Sequence, residues 1–297
     1  GLGTVPGSPN TPADQITSLQ PLLHEQRLSK CAKELAVMQR AADISVAAIR
    51  AATLACGPGK NEADLEAELI ATYLRQGASG DAYPSIVAGG KNACILHYTN
   101  NNASLFDGDL VLIDAGCEYQ HYAADIARTF PVSGTFSRPQ RDLYSVVLAA
   151  NKAGIEACQP GNTVADPHDA ALAVMVAGLI DLGILKGSVE QVMEQSLYKQ
   201  FCPYRCSHWL GMDVHDVGEY MLGDVWRTLA PGHVLTVEPG IYIPADACAQ
   251  KVPQEYCGLG IRIEDDVAIT DVGCQVLSAA AVKEISHIEA LLAGEAA

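Results

Sequence analysis

Four carboxylates stand inside strand-forming stretches of this chain, and no other feature constrains its fold as much. Asp114 ends the apolar run Leu110-Val111-Leu112-Ile113, just before Ala115 and Gly116. Asp125 lies in Tyr122-Ala123-Ala124-Asp125-Ile126. Glu238 follows Leu235-Thr236-Val237, and Glu264 follows Ile261-Arg262-Ile263. An acid buried without a partner is strongly unfavourable. One such residue can simply open a turn, as Asp114 before Gly116 could. Four of them are hard to explain as four separate turns. A shared cause is simpler: cations that neutralise them jointly. Two divalent ions would balance four carboxylates, whereas without them like-charge repulsion would drive the carboxyl pKa values up.

The rest of the composition bounds the class. A chain of 297 residues, 49% hydrophobic, is long enough to bury a full core. Its formal charge of −16, with no Lys/Arg-rich run, excludes nucleic acid and anionic membrane as expected partners. Ten cysteines include no CxxC pair, and Cys202 and Cys206 do not have zinc-ribbon spacing. A chain this long needs no disulfide staples, so reduced, mostly buried thiols are expected. A loop closed by Cys248 and Cys257 is the alternative, and it is not favoured. The apolar run around 170–185 is interrupted by Gly178 and Asp181, so it reads as a buried helix and not a membrane span. The start, GLGTVPGSPNTP, has neither the basic nor the apolar region of a signal peptide. A cytoplasmic location is the expectation.

Organisation follows from periodicity. Residues 29–53 carry apolar positions at helical spacing: Ala36, Met38, Ala42, Ile44 and Ile49. Residues 61–76 form a second helix, capped by Asn61, with Glu62, Asp64 and Glu66 suited to its dipole. Strand-like pieces follow at 85–88, 110–117 and 122–130. The last two are joined by the short polar stretch 118–121, which predicts an antiparallel hairpin with Asp114 and Asp125 on its two arms. The second half repeats the order, with helices at 139–158 and 165–185 and strands at 234–243 and 260–270. An α+β architecture of two related halves around a central sheet is expected.

Two histidines, His208 and His215, sit in Ser207-His-Trp-Leu-Gly-Met-Asp-Val-His-Asp216. A lone histidine in an apolar stretch is ordinarily a core residue, but two beside Trp209 and Gly211 favour a site. Four carboxylates with an imidazole suit Mn²⁺ or Co²⁺, tolerate Zn²⁺, and differ from a thiolate-bound structural zinc. In order, LVLIDAG, ADIARTF, SHWLGMDVHDVG, LTVEPGIYI and GIRIEDD resemble the metal-binding segments of the pita-bread metallopeptidases. Within that family the likeness is to the aminopeptidase P branch, extends to CILHYTNN, and covers roughly residues 20 to 290.

The resemblance implies an α+β pita-bread fold, with two pseudo-symmetric αβ halves around a central antiparallel sheet. It implies a linker or trimmed segment at 1–20 and a catalytic domain at 21–297, without the N-terminal domain usual in the family. Asp114, Asp125, His208, Glu238 and Glu264 would hold two divalent metal ions, with Mn²⁺ expected first and Co²⁺ or Zn²⁺ as alternatives. Asp125 and Glu264 would bridge the ions, and Glu238 would also accept the nucleophile's proton. His97 and His215 would flank the scissile carbonyl, with His215 donating to the oxyanion. Arg262 would orient a carboxylate ligand or the substrate. His97, Tyr98, Tyr204 and Trp209 would wall a proline pocket, although Tyr98 and Trp209 fit the core equally well. Tyr242 reads as a support of the ligands or as a core residue.

One position departs from the family pattern. A histidine is expected four residues before His208, and this chain has Tyr204. The expected substrates are peptides with proline at the second position, and a homo-oligomer is possible within the family. A dipeptide-specific prolidase is the near alternative. A non-catalytic peptide-binding module on the same fold is the distant one, and the complete ligand set argues against it.

Overall fold

A computed structural model describes residues 18–250 and 252–294, without the side chains of 248–250. The first half begins with α1 (Gln20–Leu28), α2 (Ala32–Ala55) and α3 (Glu62–Arg75). Helix α1 was not expected from the periodicity. Helix α2 starts at Ala32 because Cys31 caps it, and the Cys31 backbone N–H donates to Glu34 Oε2 at 2.7 Å. Asn61 caps α3 as expected, accepting from Ala63 N at 2.9 Å.

The strands β1 (Gly80–Asp81), β2 (Ile86–Gly89), β3 (Leu110–Ala115), β4 (Cys117–Tyr119), β5 (Tyr122–Ala123) and β6 (Ile126–Pro131) follow. The expected hairpin is present but interrupted. Its base pairs β3 with β6, Asp114 facing Ala127, and its tip pairs β4 with β5 in the same register. Gln120 and His121 at the turn both have positive φ, the backbone of a two-residue hairpin loop. The ladder breaks at Gly116 and at Ala124–Asp125. A Cβ on Gly116 would lie 1.7 Å from the Ala124 carbonyl oxygen, so only glycine permits this approach. Freed from the ladder, the Asp125 N–H points to the Asp266 carboxylate, at 3.2 and 3.3 Å from its two oxygens.

The second half comprises α4 (Arg138–Ala157), α5 (Asp166–Asp181), α6 (Val189–Glu194), the short pair β7 (Met221–Leu222) and β8 (Val225–Trp226), then β9 (Val234–Val237), β10 (Gly240–Tyr242), β11 (Gly260–Arg262), β12 (Asp265–Ile269), β13 (Cys274–Val276) and α7 (Ile285–Leu292). Each long strand expected here is two short ones. Val237 pairs with Asp265 and Gly240 with Arg262, so one register again runs through a break. Pro239 sits in the break and has no N–H to give. Glu238 and Glu264 lie in the two interruptions. The hairpins of the two halves meet side by side: Glu264 N donates to Ala127 O, and Thr129 Oγ1 to Arg262 O, each at 3.0 Å. The central sheet is therefore a set of short ladders joined by such bonds. Helices α2 and α3 pack together, as do α4 and α5, and cover it from outside.

Cys257 is disulfide-bonded, which corrects the expectation of reduced thiols throughout. The Cys248 side chain lies outside the described residues. Among the described residues no helix is long and apolar enough to cross a membrane.

Candidate metal centre and active site

The two interrupted hairpins aim their acids at one point. Ligand atoms of Asp125, His208 and Glu264 lie within 4.8 Å of one another. His208 Nε2 is 3.4 Å from Asp125 Oδ2 and 3.5 Å from Glu238 Oε1. Asp114 joins through Tyr83, whose hydroxyl is 2.6 Å from Asp114 Oδ1 and 2.5 Å from Asp125 Oδ1. All five residues expected to bind metal therefore converge. The His208 ring is oriented by its other nitrogen, Nδ1, 3.0 Å from the Trp209 carbonyl, which leaves Nε2 for the site.

The electrostatics favour a cation there. Burial raises the Asp114 pKa; the Arg262 guanidinium, 2.8 Å away, pulls it back, and Asp125 raises it again. Burial pushes Glu238 up to about 8, against the pull of His208 and Arg262. Glu264 is held well above the usual carboxyl range by burial and by Asp125, Asp114 and Glu238. Among the described residues its Oε2 is buried without a hydrogen-bond partner. Burial alone would lower the His208 pKa, yet Asp125 and Glu238 lift it to about 9. The carboxylates that attract a proton to this imidazole would equally attract a metal ion. An oxygen-rich set with one imidazole and an orphaned carboxylate oxygen fits a hard or borderline divalent ion.

This cluster lies in a cavity of about 530 Å³ that also takes His97, His215, Tyr204 and Arg262 into its lining. The rings of His208 and His215 are 4.1 Å apart between centroids, and burial and His208 hold His215 below its usual pKa. Arg262 is buried and occupied: besides Asp114 it donates to the Tyr242 hydroxyl at 2.7 Å. Tyr242 in turn meets the Tyr204 hydroxyl at 2.7 Å. Tyr204 also donates to the Glu238 carbonyl at 3.2 Å, so it braces the backbone of a candidate ligand.

Two expected pocket walls are corrected. Tyr98 does not line the cavity; its hydroxyl donates to Glu62 at 2.8 Å, and its ring packs with Ile86, Ala88 and Leu112. Trp209 is fully buried, stacked on Tyr220 at 5.5 Å between centroids. In both, the ring is taken up by a neighbouring core. Glu62 lies in the first turn of α3, as expected, and does more there than suit the helix dipole. It is fully buried and accepts from Gly89 N, Ala103 N, Asn92 Nδ2 and Tyr98. These bonds fix the segment that presents Leu96, His97 and Thr99 to the cavity.

Sequence reasoning missed Tyr83, Pro84, Ile86, Leu96, Thr99, Arg205 and Val214 as lining residues. Arg205 was within reach of it, being the cation between Tyr204 and His208 in the motif itself. Tyr83 was not, because its partners lie 31 and 42 residues further along.

Acids and an imidazole gathered at the base of an open cavity, on strands of an α+β domain, are the build of a metal-dependent hydrolase. The chain belongs to metallopeptidase family M24, whose sequence profile matches residues 36–271. It is similar to the Xaa-Pro aminopeptidase of Haemophilus influenzae, with 48% identity over 278 residues, 94% of this chain and 64% of the relative. Among solved structures it is similar to the Pseudomonas aeruginosa aminopeptidase PepP (TM-score 0.94, 49% identity, 96% of this chain and 64% of that one). It is also similar to an alanine variant of Escherichia coli aminopeptidase P in complex with substrate (TM-score 0.90, 47% identity, 93% and 62%). The chain thus spans less than two thirds of the length of these relatives.

Proposed function

We propose that this chain is the catalytic part of a dinuclear metal-dependent Xaa-Pro aminopeptidase, which hydrolyses the bond between an N-terminal residue and a following proline. The observation that carries the reading is the convergence of Asp114, Asp125, His208, Glu238 and Glu264 at the base of one cavity. The relatives' names, Xaa-Pro aminopeptidase and aminopeptidase P, point to the same substrate class. The two halves, each a helix pair followed by an interrupted hairpin, are read as the pita-bread fold, with residues 21–297 as its domain. A TM-score of 0.94 to the Pseudomonas enzyme supports this. Of the segment 1–20, the part before residue 18 lies outside the described residues.

Asp114, Asp125, His208, Glu238 and Glu264 would hold two divalent ions, with Mn²⁺ the first choice. Bound there, such ions supply a water of lowered pKa and a Lewis acid for the carbonyl. The protein's own groups do the rest. Glu238, 3.5 Å from His208 Nε2 in the lining of the cavity, is placed to accept a proton there. His97 and His215, exposed at the cavity, can donate to the carbonyl oxygen as it gains charge. An Xaa-Pro amide has no N–H, so the proline must be held by shape. Ile86, Leu96, Val214 and Tyr204 provide that surface, in place of Tyr98 and Trp209. The eight free cysteines among the described residues favour a cytoplasmic location, and the disulfide at Cys257 argues against it.

A panel of Xaa-Pro dipeptide, Xaa-Pro peptide and Met-peptide, assayed after chelation and after adding back Mn²⁺, Co²⁺ or Zn²⁺, tests the reading. Metal-restored cleavage after the first residue of Xaa-Pro peptides is expected. Full activity in metal-free protein would refute it, and cleavage of the dipeptide alone would make the chain a prolidase.

A further inference from the structure

Two arginines line the cavity, and they are not equivalent. Arg262 is committed to Asp114 and Tyr242. Arg205 also lines the cavity, and 45% of its side chain is accessible. Among the described residues its one ion-pair contact is Asp169, at 4.0 Å, and Asp169 is itself 65% accessible. At that distance between solvated side chains the pairing is weak. The Arg205 guanidinium carbon lies 4.8 Å from the centroid of the Trp226 ring. Stacking on an indole face holds the group in place and leaves its in-plane N–H donors free, in the fork that fits a carboxylate.

We infer that Arg205 is a specificity-determining residue that binds the C-terminal carboxylate of short substrates, so that free-acid peptides of two or three residues are the preferred class. The inference rests on the aminopeptidase reading above and goes beyond it. With two divalent ions bound, the four acids of the cavity are balanced, and what a substrate carboxylate still meets is a chain of net charge −16. Arg262 is committed, so Arg205 is the lining cation that can pair with the carboxylate of a short free-acid peptide, and it favours that peptide over its neutral amide. It adjoins Tyr204, which is braced on Glu238, so it is tied to the same short segment as the candidate ligand His208.

The test compares the tripeptide Ala-Pro-Ala as free acid and as C-terminal amide, on metal-loaded protein. Wild type should favour the acid about fivefold in kcat/KM, mainly through KM, which corresponds to about 1 kcal/mol. Arg205→Ala should reduce that preference to less than about twofold, and Arg205→Lys should keep part of it. Rising salt should shrink it in wild type, as for any solvated charge pair. Thermal unfolding of both variants checks that they fold, and the lysine variant carries the test should the alanine variant fail. Equal wild-type rates on acid and amide would overturn the inference and leave the aminopeptidase reading standing. So would an acid preference that survives in Arg205→Ala. Failure of wild type to cleave either peptide would overturn both.

Discussion

Replacing Tyr83 by Phe removes one hydroxyl and leaves the ring. That hydroxyl lies 2.6 Å from Asp114 Oδ1 and 2.5 Å from Asp125 Oδ1. Its single proton serves one acceptor at a time, so it can relieve repulsion between the two carboxylates from either side. Burial and both aspartates hold the phenol pKa well above its usual value, so the proton stays on through the physiological range. A hydrogen bond to an ionised acceptor contributes about 1.5–3 kcal/mol. If that energy orients Asp114 and Asp125 for a cation, its loss weakens metal binding by roughly 10- to 150-fold. The usual effect of removing a partner of a metal ligand, about 10- to 100-fold, falls in the same range. Titration of Mn²⁺ into chelator-stripped wild type and Tyr83→Phe measures the shift, and thermal unfolding of the stripped proteins separates it from general instability. Affinities within about threefold of each other would show that Tyr83 does not organise the site.

Three further outcomes are expected. Glu264→Ala should lose bound metal, read by elemental analysis, and activity with it; normal metal content and turnover would make Glu264 purely structural. His215→Ala should keep its metal while kcat falls by about 10²- to 10³-fold, the usual effect of losing one oxyanion donor, and an unchanged kcat would remove His215 from the chemistry. The third concerns acid sensitivity. Burial lowers the pKa of both His168 and His233 to about 4, and each accepts a backbone N–H on Nδ1, from Cys206 and Ala230 respectively. The unfolded chain takes up these protons near pH 6.5 and the folded chain only near pH 4. Stability is therefore lost as pH falls through that window, by about 2 kcal/mol per histidine between pH 7 and 5. Urea unfolding at the two pH values should show a smaller loss in His233→Gln than in wild type, and an equal loss would refute the assignment.

What could be read from the chain alone was what local pattern encodes. Apolar runs ending in acids located the strands, and the capping residue Asn61 located the start of α3. Four acids and an imidazole-bearing motif in order implied one metal site, because acids within apolar strands need a common counter-charge. The ladders' breaks were not legible as breaks, although Gly116 and Pro239 stand at them. A glycine or proline marks a disturbance, but only the approach of the Ala124 carbonyl or the missing N–H in a specific ladder shows what it does. The second layer of the site depended wholly on tertiary structure. Tyr83 reaches acids 31 and 42 residues away, and Glu62 staples backbone amides up to 41 residues on. Whether an aromatic such as Trp209 faces a pocket or a core was equally undecided, since both environments select the same ring. Periodicity and capping act over a few residues and leave a mark in the sequence. Which distant groups meet is set by how the two halves pack, and that information is spread over the whole chain.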